Sequence, residues 1–123
     1  MKRIDLSGMD TDELVQRFVT IALEQDYANL GNETSRYNQL YDRMKEVEDE
    51  LKRRSGDQRR ALLSLYDHEN PEVRLKSAKA TLALAPEAAR AVLQALANSN
   101  QFPQAGAAGM ALDLLNEGAY RPT

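Results

Sequence analysis

His68 is the only histidine of the chain, and the sequence contains no cysteine. It stands between Asp67 and Glu69, in a predicted turn that leads into Asn70 and Pro71. A catalytic base needs a substrate pocket to serve, and a zinc site made of one histidine and carboxylates is uncommon. We therefore interpret His68 as a turn residue, and we predict no catalytic group, no metal site and no cofactor.

Three carboxylates, those of Asp42, Glu46 and Asp49, recur at helical spacing and form one stripe of a predicted helix. Di-iron bundles use such carboxylates but combine them with Glu-x-x-His motifs on facing helices, and this sequence has none. Neighbouring lysines and arginines favour a solvated face instead. No serine lies in a Gly-x-Ser-x-Gly motif, and the glycines at 106–110 lack the lysine of a P-loop. We predict that the chain is not an enzyme.

Basic side chains cluster around Gly56. Cations at a helix C-terminus complement its dipole, but Arg59 and Arg60 fall in the first turn of the next helix, where Asp57 would have to supply a compensating anion. The cluster is either ordinary solvated surface or a patch for phosphate, nucleic acid or an acidic partner. The candidate partner-binding residues are Arg53, Arg54, Arg59, Arg60, Lys76 and Lys79.

The elements that position these residues are all predicted to be helices, because the alternating patterns typical of strands are nearly absent. Asp10 and Glu13 have the spacing of a capping box at the start of the first helix, and Gly31 is expected to provide a left-handed exit at its end. The predicted apolar face of this helix consists of Leu14, Val15, Phe18, Val19, Ala22 and Leu23.

The second helix is predicted to run from 33 to 55 and to stop at Gly56. Its apolar residues are spaced 3, 4, 3 and 4 apart and form one narrow seam, here called the α2 seam: Tyr37, Leu40, Met44, Val47 and Leu51. Self-association through this seam is one way in which the chain could form a homo-oligomer. Three acid–base pairs at i,i+4 spacing, Glu48–Lys52, Asp49–Arg53 and Glu50–Arg54, are expected to support the solvated side.

Shorter helices are predicted over 57–66, 71–84, 86–97 and 103–116. Asn70 before Pro71 is a suitable N-cap followed by proline at the first helical position, and Pro86 and Pro103 can start helices in the same way. Gly118 stands where a terminating glycine is expected, and we predict that the tail 118–123 is loose.

Length and composition fit one domain. The chain has 123 residues and carries 16 Lys and Arg against 19 Asp and Glu, a net charge of −3 that argues against a protein devoted to coating polyanions. Because cysteine and a secretory signal are both lacking, we expect a cytoplasmic location. The uncharged stretch 91–112 is interrupted by several amide side chains and a proline, so we predict no membrane association.

A shift of 30 residues aligns the segment 61–84 with 91–114 without a gap, giving six identities in 24 positions. Five identities fall on apolar helical faces, and Asn70 with Asn100 falls in the turn between them. Ala78 and Ala108 would allow neighbouring helices to approach closely. The match predicts two units, each a helix, a turn and an antiparallel helix. Stacking of the units would bury the apolar surface that a single helix pair leaves exposed.

The run 68–84 resembles the second helix of a short HEAT repeat, through Asn70, Pro71, Val73, Arg74, Ala78 and Leu82. Gln101 and Gln104 replace the proline and arginine in the second copy, so no arginine ladder continues. We expect Arg74 to pair with an acid of the preceding loop, such as Asp67. The whole chain also resembles a small bacterial family of unknown function with an armadillo-like superhelix. Some helical-repeat proteins are immunity partners of secreted toxins, and the resemblance implies that kind of role.

We therefore predict an all-α protein, an α-α superhelix of HEAT- or armadillo-like helix pairs. The single domain 1–123 would comprise a long helical hairpin over 10–56, two short helix pairs over 57–117 and the tail. The predicted function is non-enzymatic binding of another protein. The alternative is binding of nucleic acid or phosphate by the basic residues between Arg53 and Arg60.

Overall fold

The computed structural model describes residues 5–123, and within this range the regular elements are all helices. The all-α prediction is therefore confirmed. The chain divides into two compact units, with the boundary between Ala61 and Leu62. The elements are α1 (Thr11–Leu30), α2 (Thr34–Arg53), a 3₁₀ helix (Gln58–Asp67) that crosses the boundary, α3 (Pro71–Ala80), α4 (Pro86–Ala97) and α5 (Gln104–Asn116).

Helix α1 begins with the predicted capping box. The Glu13 backbone N–H donates to Asp10 Oδ1 (2.8 Å), and the Asp10 N–H donates to Glu13 Oε1 (3.2 Å). The end of the helix differs from the prediction, because Gly31 has a φ of −92° and the left-handed residue is Asn32, at φ 55°. Asparagine tolerates this conformation better than most residues, so it makes the turn toward α2.

The first unit is built on α1 and α2, which pack against each other along two apolar seams. Four of the five α2 seam residues are buried, namely Leu40, Met44, Val47 and Leu51. The corresponding α1 seam has the same 4-3 spacing: Leu14, Phe18, Ile21, Gln25 and Ala28 are all buried. The α2 seam is thus covered within a single chain, and a second copy would have to displace existing packing to reach it.

Gln25 is a polar side chain in an otherwise apolar seam. It is completely buried, and neither its Nε2 nor its Oε1 has a hydrogen-bond partner among the described residues. A buried amide without partners costs about 1–3 kcal/mol. Single polar residues in heptad seams are known to select one register over others, at a cost in stability.

Helix α2 ends at Arg53, two residues before the predicted end, because the backbone of Arg54 is already extended (ψ 151°). Gly56 and Asp57 follow with positive φ, of 78° and 53°, and turn the chain toward the next element. The next element is a 3₁₀ helix and not an α-helix. Within the first unit its start is held to α1, because the Thr11 hydroxyl lies 3.4 Å from Gln58 Oε1.

The second unit contains α3, α4 and α5. Asn70 caps α3 as predicted, since its Oδ1 accepts from the backbone N–H groups of Glu72 (2.8 Å) and Val73 (3.2 Å). Helix α3 ends at Ala80, short of the predicted 84, and the Thr81 hydroxyl donates back to the Ser77 carbonyl oxygen (2.8 Å).

The two later helices are close to their predicted bounds. Helix α4 has the predicted bounds, and α5 begins one residue later than predicted, because Pro103 precedes it and is not its first residue. The tail beyond Gly118 is partly held, because the N–H groups of Ala119 and Tyr120 donate to the Leu114 carbonyl oxygen and Tyr120 packs against the core.

The core of the second unit joins all three helices. It consists of Leu75, Ala78, Leu82, Ala89, Leu93, Leu96, Ala108, Ala111 and Leu112. Two of the matched pairs in the sequence alignment, Ala78 with Ala108 and Leu82 with Leu112, lie entirely in this core. The aligned asparagines differ, since Asn70 is a helix cap and Asn100 is a left-handed turn residue at φ 61°. The repeat and the superhelix therefore stay predictions.

Within residues 5–123, no helix combines the length and the apolar character that crossing a membrane would require.

Candidate functional site

The predicted basic residues of the first unit are largely engaged by nearby acids. At the end of α2 both Arg53 and Arg54 contact the buried Glu50 carboxylate, and Arg54 Nε donates to its Oε2 at 2.9 Å. Arg54 also donates to the Leu6 carbonyl oxygen (3.1 Å). Hydrogen bonds from Arg54 and then Arg53 hold the pKa of Glu50 below its usual value.

These contacts change the predicted charge pairing of α2. Glu50–Arg54 forms as expected, but Arg53 turns to Glu50, and Asp49 pairs with Lys45 (3.6 Å). Glu50 is therefore the centre of a three-residue ion pair that joins α2 to the backbone at Leu6.

Asp57 supplies the anion expected beside Arg59. Arg59 Nε and Nη2 donate to its two carboxylate oxygens at 2.9 and 2.7 Å, and the Arg59 backbone N–H donates as well. These bonds lower the pKa of Asp57 and raise that of Arg59. Arg59 is only 8% exposed, whereas Arg60 is exposed and has no carboxylate partner among the described residues.

In the second unit Lys76 is also mostly buried. Its Nζ lies 3.6 Å from Glu72 Oε2, and Gln104 Nε2 donates to Glu72 Oε1 (2.7 Å), so a buried carboxylate links α3 to α5. Lys79 is half-buried. Burial of Arg59 and Lys76 leaves little of either for a partner, and the binding role of the six basic residues stays a prediction.

His68 is built into the turn before α3. Its Nδ1 accepts from the Asn70 backbone N–H (3.0 Å). Arg74 does not pair with Asp67, contrary to the prediction. Its Nη1 donates to the carbonyl oxygens of His68 (2.7 Å) and Glu69 (3.0 Å), and its Nη2 donates to Gln101 Oε1 (3.1 Å). Arg74 therefore secures the turn through backbone oxygens.

The carboxylate stripe of α2 faces water. Asp42 and Asp49 are exposed and Glu46 is half-buried. Within residues 5–123, no three His, Cys, Asp or Glu side chains lie close enough to hold a metal ion.

Among the described residues of the first unit, three exposed apolar side chains lie on α1, away from its seam, and a fourth, Tyr41, lies on α2. Leu23, Tyr27 and Leu30 are 41, 74 and 82% exposed. Their i, i+4, i+7 spacing places them on one face of the helix, about half a turn from the seam residues. We call these three residues the outer stripe. Helix α1 is thus apolar on two opposite faces, of which only one is packed.

Two grooves run between α1 and α2, and the smaller one borders the outer stripe. The larger, of about 630 Å³, extends along α1 from Asp10 to Glu24, and the smaller, of about 320 Å³, is lined by Leu23, Tyr27 and Glu33 among others. They share Thr20, Glu24 and Arg36. Arg36 Nη2 lies 3.3 Å from Glu24 Oε2, so these two side chains form the common wall.

The prediction that Leu23 belongs to the core of α1 was wrong. The predicted face consists of adjacent apolar residues, whereas the buried face of α1 also includes Ile21, Gln25 and Ala28. A strict heptad through Phe18 and Gln25 would have placed Leu23 outside. Leu23, Tyr27 and Leu30 do not belong to that heptad and form a second set with helical periodicity.

Comparison with known proteins places the chain in a family. A crystal structure of the protein RPA1889 from Rhodopseudomonas palustris CGA009 matches with a TM-score of 0.94 and 53% sequence identity, over 98% of this chain and 100% of that one. No curated protein matches the chain. Residues 12–116 match a family described as a domain of unknown function, DUF2019. This chain therefore belongs to the DUF2019 family.

Proposed function

We propose that this chain is a non-enzymatic, cytoplasmic protein-binding module that contacts its partner through the outer stripe of α1. The observation that supports this most strongly is the exposure of Tyr27 and Leu30, at 74 and 82%. A surface helix ordinarily has a polar outer face. Covering a leucine or a large aromatic side chain gains about 1.5–3 kcal/mol, which only a partner can supply at this position.

The composition of this surface also favours a protein partner. Tyrosine and arginine are enriched among the residues that dominate binding energy, and the outer stripe with Arg36 offers both beside two grooves. Stacked helix pairs in a superhelix would extend this surface, and a toxin–immunity partnership is one form that the interaction can take.

A catalytic role has less support. The side chains best suited to catalysis already have structural roles. His68 accepts a backbone hydrogen bond, and Arg74 holds the same turn through carbonyl oxygens.

Nucleic-acid binding is the alternative, and the basic cluster is its basis. Of the arginines at 53, 54, 59 and 60, three contact Glu50 or Asp57, which reduces the positive charge offered to phosphate. Binding of this kind would weaken steeply with added salt. A mobility-shift titration with DNA and RNA tests it, and salt-sensitive binding that is lost in Arg60→Ala would favour this alternative.

The experiment for protein binding compares three tagged forms of the chain as bait in extracts of its own cells. These are the wild type, the double variant Tyr27→Ala with Leu30→Ala, and the control Met110→Ala, which removes another exposed apolar side chain, 66% exposed on α5. We expect quantitative mass spectrometry to find a protein depleted about tenfold or more by the double variant and retained by the control. Identical sets of proteins from all three baits would contradict the proposal.

A further inference from the structure

The groove beside the outer stripe carries a small net negative charge, with two acids against one base. Glu24 and Glu33 line the groove beside Tyr27, and Arg36, the basic residue of that groove, is paired with Glu24 at 3.3 Å. The last turn of α1 contains no basic residue, so the negative end of its helix dipole is not offset by a cation of that turn. The exposed end of the outer stripe, at Leu30, therefore lies near the negative end of the helix dipole and close in sequence to the carboxylate of Glu33.

This charge argues against a second copy of the chain as the occupant. A two-fold interface places the same patch against itself, so the acidic surroundings of one outer stripe would face those of the other. Juxtaposed like charges disfavour such a pairing. A positively charged partner would be attracted to this surface, whereas a second copy would be repelled.

We propose that the outer stripe binds an amphipathic helix of a partner protein, whose apolar face covers Leu23, Tyr27 and Leu30 and whose flanking positions carry lysine or arginine. The proposal rests on the proposed function and specifies the partner's chemistry. The stripe spans about 10 Å, two turns of α1, which matches apolar anchors at i, i+3, i+4 and i+7 of a docked helix. Glu33, exposed at the start of α2, is placed to receive one of the basic side chains.

The test uses fluorescence anisotropy with three labelled peptides of about 18 residues, long enough for five helical turns. The first has leucine at the anchor positions and lysine elsewhere, and the second has glutamate in place of lysine. The third has the composition of the first in an order without an apolar face. We expect the first peptide alone to bind, and to bind less well at high salt because surface charges are screened.

Chain variants localise the binding. The double variant Tyr27→Ala with Leu30→Ala should lower the affinity for the first peptide by about tenfold or more, and Glu33→Lys should lower this affinity severalfold. Met110→Ala should bind as the wild type does. Equal affinity for the glutamate peptide, or affinity for the lysine peptide that neither the double variant nor Glu33→Lys changes, would overturn the proposal.

Failure of this inference differs from failure of the proposed function. If the double variant loses a protein from the extract but no variant alters peptide binding, the stripe binds a partner of other chemistry. If the double variant changes neither the proteins recovered from the extract nor the binding of the peptide, the proposed function and this inference are both wrong.

Discussion

Two regions of this chain, the outer stripe of α1 and the cluster of Glu72, Lys76 and Gln104, depart in opposite ways from the usual placement of apolar and polar residues. In the first unit, three apolar side chains of α1 lie outside, although their helix already has a complete seam. In the second unit, a glutamate, a lysine and a glutamine are buried together, at 1, 8 and 2% exposure for Glu72, Lys76 and Gln104. Tyr27 and Leu30 are mostly exposed and so contribute little to packing in this chain, whereas the buried cluster joins two helices of the unit.

This difference indicates which features serve the fold and which are available for function. A buried carboxylate with partners on α3 and α5 can fix how small, alanine-rich helices pack, as buried polar groups do in some proteins. An exposed apolar stripe has no such role. Substitutions in the two regions should therefore have opposite effects on stability and on binding.

The largest expected effect is that of Glu72→Ala. Removing this carboxylate deprives the buried Lys76 ammonium and the Gln104 amide of a partner, and breaking a buried ion pair costs about 3–5 kcal/mol. Replacing both charges, as Glu72→Met with Lys76→Met, should cost much less. Urea denaturation measures both free energies of unfolding. A double variant as unstable as the single one would show that the cluster is not an interacting pair.

Gln25→Leu is expected to act in the other direction. It replaces an amide that lacks partners in the α1 seam by an apolar side chain of similar size, which should raise the free energy of unfolding by about 1–2 kcal/mol. The control is Gln16→Leu, at an exposed position of the same helix, where we expect a change of about 0.5 kcal/mol or less. If Gln25→Leu destabilises the protein, the Gln25 amide makes stabilising hydrogen bonds inside the seam.

The ion pairs around Glu50 and Asp57 predict a loss of stability in acid. Both pKa values are lowered by arginine hydrogen bonds from ordinary values of 4.5 and 3.8. A carboxylate with a lowered pKa in the folded state contributes stability above its unfolded pKa, and that contribution is lost as the pH falls through the folded pKa. Stability should therefore decline below about pH 4.5.

Asp57→Asn should remove part of this dependence, with a cost on the order of 1 kcal/mol at neutral pH. The control Asp42→Asn removes a carboxylate of α2 that is exposed. Urea midpoints at neutral and acid pH measure the difference. If the urea midpoint falls equally between neutral and acid pH in the wild type and in Asp57→Asn, the ion pair does not cause the loss of stability in acid.

The smallest expected effect on stability is that of the outer stripe. Tyr27→Ala with Leu30→Ala should change the free energy of unfolding by about 0.5 kcal/mol or less, because exposed side chains contribute little. Phe18→Ala, on the seam of the same helix, should cost about 3–5 kcal/mol. Thermal unfolding compares the two. A large cost at Tyr27 and Leu30 would show that the outer stripe is part of the fold.

Much of the fold could be predicted from the sequence because its signals are local. The cap at Asn70, the box at Asp10 and Glu13, and the glycine that ends α5 at Gly118 depend on a few adjacent residues, and the structure has all of them. The α2 seam also emerged, since α2 has few apolar residues and they form one narrow row.

The candidate site was harder to predict because it depends on what other elements leave uncovered. Helix α1 has apolar residues on both sides, so periodicity alone did not show which set meets α2, and Leu23 was assigned to the wrong one. The pairing of Arg74 with carbonyl oxygens and the burial of Lys76 depend on side-chain placement in the folded unit. Counting charges along the sequence cannot supply that information.

Photo-cross-linking in the protein's own cells tests the central claim most directly. A photoreactive residue is placed at Tyr27 in the outer stripe, at Arg60 in the basic cluster, or at Ala95, an exposed position of α4. The account predicts a cross-linked protein of discrete mass from position 27 and none above background from position 95. Cross-links to nucleic acid or protein from position 60 alone would contradict it and would assign binding to the basic cluster.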